Sequence, residues 1–226
     1  MRRKTDSEGV VESNMSNTTL PILLETHYLP SIEYFVLLSS AKHVVLHGDE
    51  NFQKQSYRNR CYIAGPNKTQ LLTVPVEKKT RKGKIKDVLI SYDESWHMEQ
   101  VQTLQTAYGK APFFEYYFEF FEKILLAKKK YLWDLNNEML TLCLNLLNID
   151  SKISDSGDCH LNLNELDNRH YGEIDRKRAW TERDIYKETK YHQLFGSNFV
   201  PNLSVIDLLF CEGPNSSVII GQSTIK

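Results

Sequence analysis

The sequence lacks a long apolar run and the apolar stretch of a secretory signal. Its longest apolar stretch lies around residues 140–147 and contains Asn145, whereas a membrane-spanning helix needs ~20 apolar residues. The first residues, MRRKTDSEGV, are basic and then polar, without the hydrophobic region on which secretion depends. These absences predict a cytoplasmic protein with no membrane span.

Closely spaced cysteines and a large excess of charge are also missing. The four cysteines are far apart in the chain, which excludes a zinc knuckle or a redox dithiol and predicts reduced thiols. The formal net charge is -1, from 28 basic and 29 acidic residues, so no global field favours nucleic acid. Six basic residues in residues 77–86 would contact the phosphates of a nucleic acid, but no recognition-helix pattern accompanies them, so a nucleic-acid binder ranks low.

The apolar pattern of residues 20–76 indicates an α/β fold. Residues 21–25 and 43–47 have the pattern of short strands, and residues 31–41 between them form an apolar helix that begins at Ser31. This βαβ opening predicts ligand-binding loops after its strands. Residues 60–64 and 70–76 are predicted to form a hairpin, which gives a mixed sheet.

The second half of the chain is predicted to be largely helical. We expect a disordered leader over residues 1–19 and a single globular domain over residues 20–226, whose helical part covers about residues 96–150. A polar connection over about residues 150–170 contains a short strand or two. We expect the remaining elements to be a strand at residues 85–90, a buried aromatic helix at 113–126, and helices at 132–147, 181–193 and 202–213.

Residues 47–61, HGDENFQKQSYRNRC, are the most informative stretch for function. The segment concentrates Lys54, Arg58, Asn59 and Arg60 between two strands. Lysine and arginine neutralise anions, and arginine and asparagine can bind planar groups with two hydrogen bonds. The pattern therefore predicts a site for an anionic, polar ligand. A solvated loop whose charges pair with one another would give the same pattern.

Histidines lie near both predicted strand ends. His27 falls in the loop after the first strand, where it can act as a general base, although a structural histidine would look the same. His43 and His47 are four residues apart on a strand with no third ligand in view, so the sequence predicts no metal site. No motif specifies a cofactor, which the sequence leaves unknown.

Three further residues are candidate ligand contacts. Tyr108 and Lys110 lie at a helix end bounded by glycine and proline, where they would line a pocket or only complete helix packing. Asp207 lies within an apolar helix, and a buried carboxylate needs a partner. An arginine of residues 47–61 is the partner we expect.

Several segments in order resemble the WbqC-like protein family. They are HYLP with EYF, GDENFQKQSYRNRCYI, LLTVPV, a region around Trp96, AYGKAPFFEYY and NLSVIDLLF. The likeness runs from about Leu20 to Gly213, and the leader and residues 150–169 lie outside it. The matching polar residues are His27, Lys54, Arg58, Asn59, Arg60, Tyr108 and Asp207.

The resemblance implies a group-transfer enzyme of surface-polysaccharide or amino-sugar modification. Its substrate would be an anionic nucleotide sugar or an activated acyl donor, held by Lys54, Arg58 and Arg60. His27 would be the general base, with Asn59 orienting the acceptor. The alternative is a non-catalytic binding or scaffold protein of the same pathway, with pathway enzymes as partners.

Overall fold

The order of the structural elements follows the predicted change from strands to helices. The computed structural model describes residues 20–66, 68–157, 165–196 and 198–224, and the predicted leader lies outside these ranges. The elements are β1 (Ile22–Leu24), α1 (Ile32–Ser40), β2 (His43–Leu46), β3 (Arg60–Ile63), β4 (Gln70–Thr73), α2 (Trp96–Tyr108), α3 (Phe114–Leu126), α4 (Leu132–Leu146), β5 (Lys152–Asp155), α5 (Val205–Glu212) and α6 (Ser216–Gln222). The predicted α/β class with a helical second half is confirmed.

A parallel sheet with the order β1-β2-β5 forms one part of the fold. In its central strand, β2, the consecutive residues Val44, Val45 and Leu46 are all buried. The strand is therefore covered on both faces, as its apolar sequence indicates. Val45 pairs with Leu23 on one side and with Ser154 on the other. Since the three strands run in the same direction, their carboxyl ends meet at one edge of the sheet. Ligand sites of parallel sheets lie at this edge.

The strands β3 and β4 form a separate antiparallel pair, as the hairpin prediction requires. The strand predicted at residues 85–90 is wrong. Ile85–Asp87 is a short 3-10 helix, and Leu89 and Ile90 make only isolated bridges. Ile85 and Val88 are both buried, and their spacing of three fits a 3-10 turn rather than the alternation of a strand.

Helices α2, α3 and α4 pack against one continuous apolar core. The prediction that α3 is a buried helix is correct for one face only. Phe114, Phe118 and Phe121 are buried, whereas Tyr116 is 70% exposed and Phe120 is 47% exposed. The helix is therefore amphipathic. Its exposed face also carries aromatic residues, so the two faces could not be told apart from the sequence. Within the described ranges, no helix has both the length and the hydropathy to cross a membrane.

The chain between the polar connection and α5 contains little regular structure. The helix predicted at residues 181–193 is wrong, because only Trp180–Glu182 forms a 3-10 turn. Ile185 and Tyr186 are buried without forming a helix, so their burial comes from tertiary packing rather than from a helical face. The helix predicted near the end is confirmed as α5 and stops at Gly213, whose φ is 54°. It is not terminal, because α6 follows.

Candidate functional site

The carboxyl edge of the parallel sheet gathers polar residues from two loops. Glu25 and His27 follow β1, and Glu50 lies in the loop after β2. Arg58 comes from the same loop, immediately before β3. The segment 165–183, called the cover segment here, contributes Tyr171 over this edge. We call Glu25, His27, Glu50, Tyr57, Arg58 and Tyr171 the His27 cluster.

His27 lies at the centre of the cluster and is only 2% exposed. Its ring is tilted against those of Tyr34 and Tyr57, at centroid distances of 4.8 and 5.4 Å. Neither ring nitrogen has a hydrogen-bond partner among the described residues. The Nε2 atom lies 3.6 Å from Oε1 of Glu25, which is ion-pair distance but long for a hydrogen bond. Buried polar atoms without partners are rare and point to a function or a missing ligand.

Glu25 provides negative charge beside His27. Burial raises the pKa of Glu25, but His27, the backbone N–H of Gly172 and the charge of Arg58 outweigh burial and bring it below its ordinary value. The N–H of Gly172 donates to Oε2 at 2.9 Å. Glu25 is therefore ionised at neutral pH, and an ionised carboxylate stabilises a protonated imidazole.

The second part of the cluster is a buried ion pair. Arg58 donates from Nε and Nη2 to the two oxygens of Glu50, at 2.7 and 2.5 Å. Tyr171 donates its hydroxyl to Oε2 of Glu50 at 3.0 Å, and this hydroxyl lies 2.9 Å from Nδ1 of His47. Burial, followed by the charge of Glu50, raises the pKa of Tyr171. The guanidinium of Arg58, which was predicted to bind a ligand anion, is therefore already bound by Glu50.

Asn59 and Arg60 lie beside the ion pair at the start of β3. Asn59 donates from Nδ2 to the carbonyl of Val74 at 2.8 Å. Its Oδ1 and the Nε of Arg60 are buried and lack hydrogen-bond partners within the described ranges. The segment of residues 47–61 therefore contributes both satisfied and unsatisfied polar groups. Lys54 and Lys110 are both exposed and do not join the His27 cluster.

Asp207 belongs to a different buried network. Tyr108 donates to its Oδ1 at 2.8 Å, Tyr191 donates to its Oδ2 at 2.6 Å, and Gln193 donates to Oδ2 at 3.1 Å. The prediction that an arginine of residues 47–61 pairs with Asp207 is wrong. Three neutral donors satisfy the carboxylate instead. Tyr108 also accepts the N–H of Ala64, so the network joins α2, α5 and the end of β3.

The Asp207 network makes a prediction about pH. Burial raises the pKa of Asp207 above its ordinary value, although its three donors oppose the shift. The folded state then binds more protons than the unfolded state, so this residue destabilises the fold as pH rises above about 3.9. Compared with Asp207→Asn, the wild type is expected to lose stability steadily as pH rises through the folded pKa. Urea denaturation of both proteins between pH 4 and 8 measures this difference.

Asp49→Asn is the matched control for this titration. Hydrogen bonds from Lys84 and Lys86 lower the pKa of Asp49 to about 2, so its stabilisation is complete above the unfolded pKa and lost only in stronger acid. Its difference from the wild type is expected to be flat above about pH 5. The raised pKa of Asp207 would be contradicted if the stability difference between the wild type and Asp207→Asn did not change with pH, or if the wild type gained stability as pH rises.

Three of the six basic residues in the run at residues 77–86 form ion pairs, and a fourth bonds to a backbone carbonyl. Lys84 and Lys86 contact Oδ1 of Asp49 at 2.8 and 2.7 Å, and Lys79 contacts Glu77 at 2.8 Å. Arg81 donates to the carbonyl of Val76. These contacts reduce the positive potential that a phosphate backbone would meet.

Histidines 43 and 47 do not meet at one point of the sheet edge. His43 Nε2 lies 2.9 Å from the hydroxyl of Ser154, and His47 contacts Tyr171. Among the residues that the structure describes, no three histidine, cysteine, aspartate or glutamate side chains are arranged to hold a metal ion.

Four residues of the His27 cluster were not identified from the sequence, namely Glu25, Glu50, Tyr57 and Tyr171. Glu25 is the last residue of the strand predicted at residues 21–25 and is two residues from His27, so an extended backbone points both side chains the same way. That spacing was a usable signal. Tyr57 and Tyr171 gave no comparable signal, because their positions depend on how the loop after β2 and the cover segment pack.

Comparisons with known proteins agree with this architecture. The sequence profile of the WbqC-like protein family matches residues 26–182 and 163–219, which together include α5 and every residue of the His27 cluster except Glu25. The uncharacterized protein Rv1507c of Mycobacterium tuberculosis (strain ATCC 25618 / H37Rv) is 27% identical over 218 residues, covering 84% of this chain and 93% of that protein. No solved structure matches the chain. Since the profile covers most of the sequence, the chain belongs to the WbqC-like protein family.

Proposed function

We propose that the chain is a cytoplasmic group-transfer enzyme that modifies an amino sugar, with His27 as its general base. The observation that carries the proposal is the buried imidazole of His27, which has no hydrogen-bond partner among the described residues and lies 3.6 Å from Glu25. A base in this state is free to accept a proton from an acceptor. The ionised Glu25 stabilises the resulting imidazolium.

The transfer step uses an activated donor, either a nucleotide sugar or an acyl thioester. His27 removes a proton from the amine or hydroxyl of the acceptor, whose lone pair attacks the anomeric or carbonyl carbon of the donor. The new C–N or C–O bond forms while the bond to the diphosphate or thiolate breaks. The leaving group departs with the bonding electrons and receives the proton from His27.

Access to His27 requires part of the cover segment to move. Tyr171 is held by its hydroxyl contacts to Glu50 and His47, and Gly172 by one N–H bond to Glu25. An opening limited to Tyr171 and Gly172 breaks these hydrogen bonds, while Arg183 keeps residues 173–178 in place through their backbone carbonyls. Such loop movements commonly admit substrate and then exclude water. The free Oδ1 of Asn59 is suited to orient an acceptor amine.

The role of Arg58 changes under this proposal. Its buried pairing with Glu50 makes Arg58 a positioning residue that fixes the loop after β2, rather than a contact to the donor. Lys54 and Arg60 remain proposed donor contacts, and Tyr108, Lys110 and Asp207 remain proposed ligand-binding residues. The Asp207 network is fully bonded, which favours a supporting role.

The alternative is a non-catalytic binding protein of the same pathway, docking on a pathway enzyme. Arg58 and Tyr171 already form hydrogen bonds to Glu50 within the His27 cluster. Because their polar groups need no ligand as a hydrogen-bond partner, these contacts favour the non-catalytic alternative. A non-catalytic protein would bind a donor without converting it.

A ligand screen followed by a turnover assay separates the two functions. Nucleotide sugars, acyl-CoA thioesters and aminoacyl donors are added to the purified protein, and the thermal midpoint is measured. A donor at 100 times its Kd is expected to stabilise the protein by about 2.7 kcal/mol. Mass spectrometry then detects transfer to an amino-sugar acceptor.

His27→Leu supplies the control in this assay. The variant is expected to show the same donor-induced shift and a rate of product formation lowered by about 10²–10⁴, since the proposal uses His27 for proton transfer and not for donor binding. Binding without product in the wild type would support the alternative. No stabilisation by any donor, or equal turnover by His27→Leu, would refute the enzyme assignment.

A further inference from the structure

A narrow groove lies between the cover segment and the face of β3 that carries Tyr62. Its volume is about 230 Å³, and its lining includes three arginines and three aromatic residues: Arg176, Arg178, Arg183, Tyr57, Tyr62 and Trp180. Sites that enclose a whole small molecule are larger, at roughly 300–1,000 Å³. The groove is thus sized for one charged portion of a ligand.

The three arginines differ in how their charges are balanced. Arg183 pairs with the buried Glu33, and Arg178 pairs with Glu173 at 2.8 Å. Arg176 instead donates to the backbone carbonyl of Gln55 at 3.0 Å and to the hydroxyl of Tyr62 at 3.3 Å. No carboxylate of the described residues lies within ion-pair distance of Arg176. Its positive charge is therefore left for a ligand.

The loop after β2 connects this groove to the His27 cluster. Tyr57 lines the groove, and its ring centroid lies 5.4 Å from that of His27 and 6.4 Å from that of Tyr62. Gln55, which receives the Arg176 hydrogen bond, has a φ of 57°, a region that residues other than glycine rarely adopt. The ring of Tyr57 would thus lie between an anion bound to Arg176 and His27, the proposed base.

We infer that this groove binds the diphosphate of the donor, with Arg176 as the principal contact. The inference rests on the proposed function, because nucleotide sugars and acyl-CoA thioesters share a diphosphate. The planar guanidinium offers paired N–H donors to phosphate oxygens. The hydroxyls of Tyr57 and Tyr62 add hydrogen-bonding capacity at the same groove.

Binding of inorganic pyrophosphate, measured by calorimetry, tests this inference. The wild type is expected to bind, and Arg176→Gln is expected to raise Kd about 10- to 100-fold, the loss that follows from removing charged hydrogen bonds. Arg176→Lys keeps the positive charge but loses the paired N–H donors of the guanidinium. Its Kd is therefore expected to lie between those of the wild type and Arg176→Gln. Circular dichroism and the thermal midpoint establish that each variant is folded.

Arg81→Gln is the matched control. Like Arg176, Arg81 is half-buried and bonds to a backbone carbonyl, that of Val76. It lines a different groove, which also contains Glu77, Asp93 and Glu94. Its substitution is expected to change Kd less than twofold. Failure of the wild type to bind pyrophosphate, or equal weakening by both substitutions, would overturn the inference.

The outcomes for the groove and for the proposed function are separable. His27→Leu is expected to bind pyrophosphate as the wild type does. Arg176-dependent pyrophosphate binding without turnover of any donor would retain the groove and reject the enzyme. Turnover with an unchanged KM in Arg176→Gln would retain the enzyme and reject the groove.

Discussion

Replacement of Arg183 by methionine is expected to lower the free energy of unfolding by about 3–5 kcal/mol. Arg183 donates from Nε and Nη2 to the two carboxylate oxygens of Glu33, at 2.7 and 2.6 Å. Glu33 is fully buried in α1. Removing the guanidinium leaves this carboxylate with Asn202 as its remaining side-chain donor, and an uncompensated buried charge is strongly destabilising.

The substitution also frees backbone groups of the cover segment. The Nη1 of Arg183 donates to the carbonyls of Asp175 and Arg178 at 3.0 Å and to that of Glu173 at 3.4 Å. One side chain thus fastens the cover segment to α1. For a protein of this size, a loss of 3–5 kcal/mol corresponds to a fall in Tm of roughly 6–20 °C.

Denaturation by urea, with two further variants, tests this role. Arg178→Met removes an exposed ion pair next to the same segment and is expected to cost less than about 1 kcal/mol. The double variant Glu33→Met with Arg183→Met removes both charges and is expected to be more stable than Arg183→Met alone. A loss below about 1 kcal/mol for Arg183→Met would show that the pair does not hold the segment.

Elements with a local sequence signal were predictable. The order β1, α1 and β2, the hairpin of β3 and β4, and the helices α2 and α4 follow from apolar spacing and from stops such as Gly109. The regions predicted wrongly, around residues 85–90 and 181–193, are held by contacts between distant parts of the chain. The Glu33 and Arg183 pair joins residues 150 positions apart, and no local pattern specifies such a contact.

The candidate site divides in the same way. His27 and Arg58 lie in loops that follow predicted strands, so their position at the sheet edge could be expected. Tyr171 and Arg176 belong to the cover segment, whose path depends on tertiary contacts. Asp207 was correctly recognised as needing partners, but the sequence could not choose among distant donors, and Tyr191 and Gln193 lie in a stretch predicted to be helical.

Replacement of His27 by leucine is expected to lower the rate of group transfer by about 10²–10⁴, with a much smaller effect on stability. The two ring nitrogens are buried and without hydrogen-bond partners in the described part of the chain. Burying an unsatisfied polar group costs about 1–3 kcal/mol. Leucine has a similar volume and no polar atoms, but the substitution also removes the imidazole that lies 3.6 Å from the buried carboxylate of Glu25 and lowers its pKa. These opposing effects are expected to leave the free energy of unfolding within about 1 kcal/mol of the wild type.

His97→Leu is the appropriate comparison for this effect. His97 is also buried, at 5% exposure, and its Nδ1 likewise lacks a partner among the described residues. It lies on α2, among the rings of Tyr92 and Trp96, outside the His27 cluster. Its substitution is expected to leave the rate of group transfer within about twofold of the wild type. A large loss of stability is not expected either, because leucine removes a buried nitrogen that has no hydrogen-bond partner among the described residues.

Stability and activity together distinguish a base from a structural histidine. A structural histidine bonded through water in solution would make His27→Leu, and also His27→Phe, less stable by more than about 1 kcal/mol. A base kept free for an acceptor leaves the stability within about 1 kcal/mol of the wild type, because removing two unpaired ring nitrogens offsets the lost contact with Glu25. Urea denaturation and the transfer assay on the same protein preparations measure both effects, and a less stable, fully active His27→Leu would refute the assignment of His27.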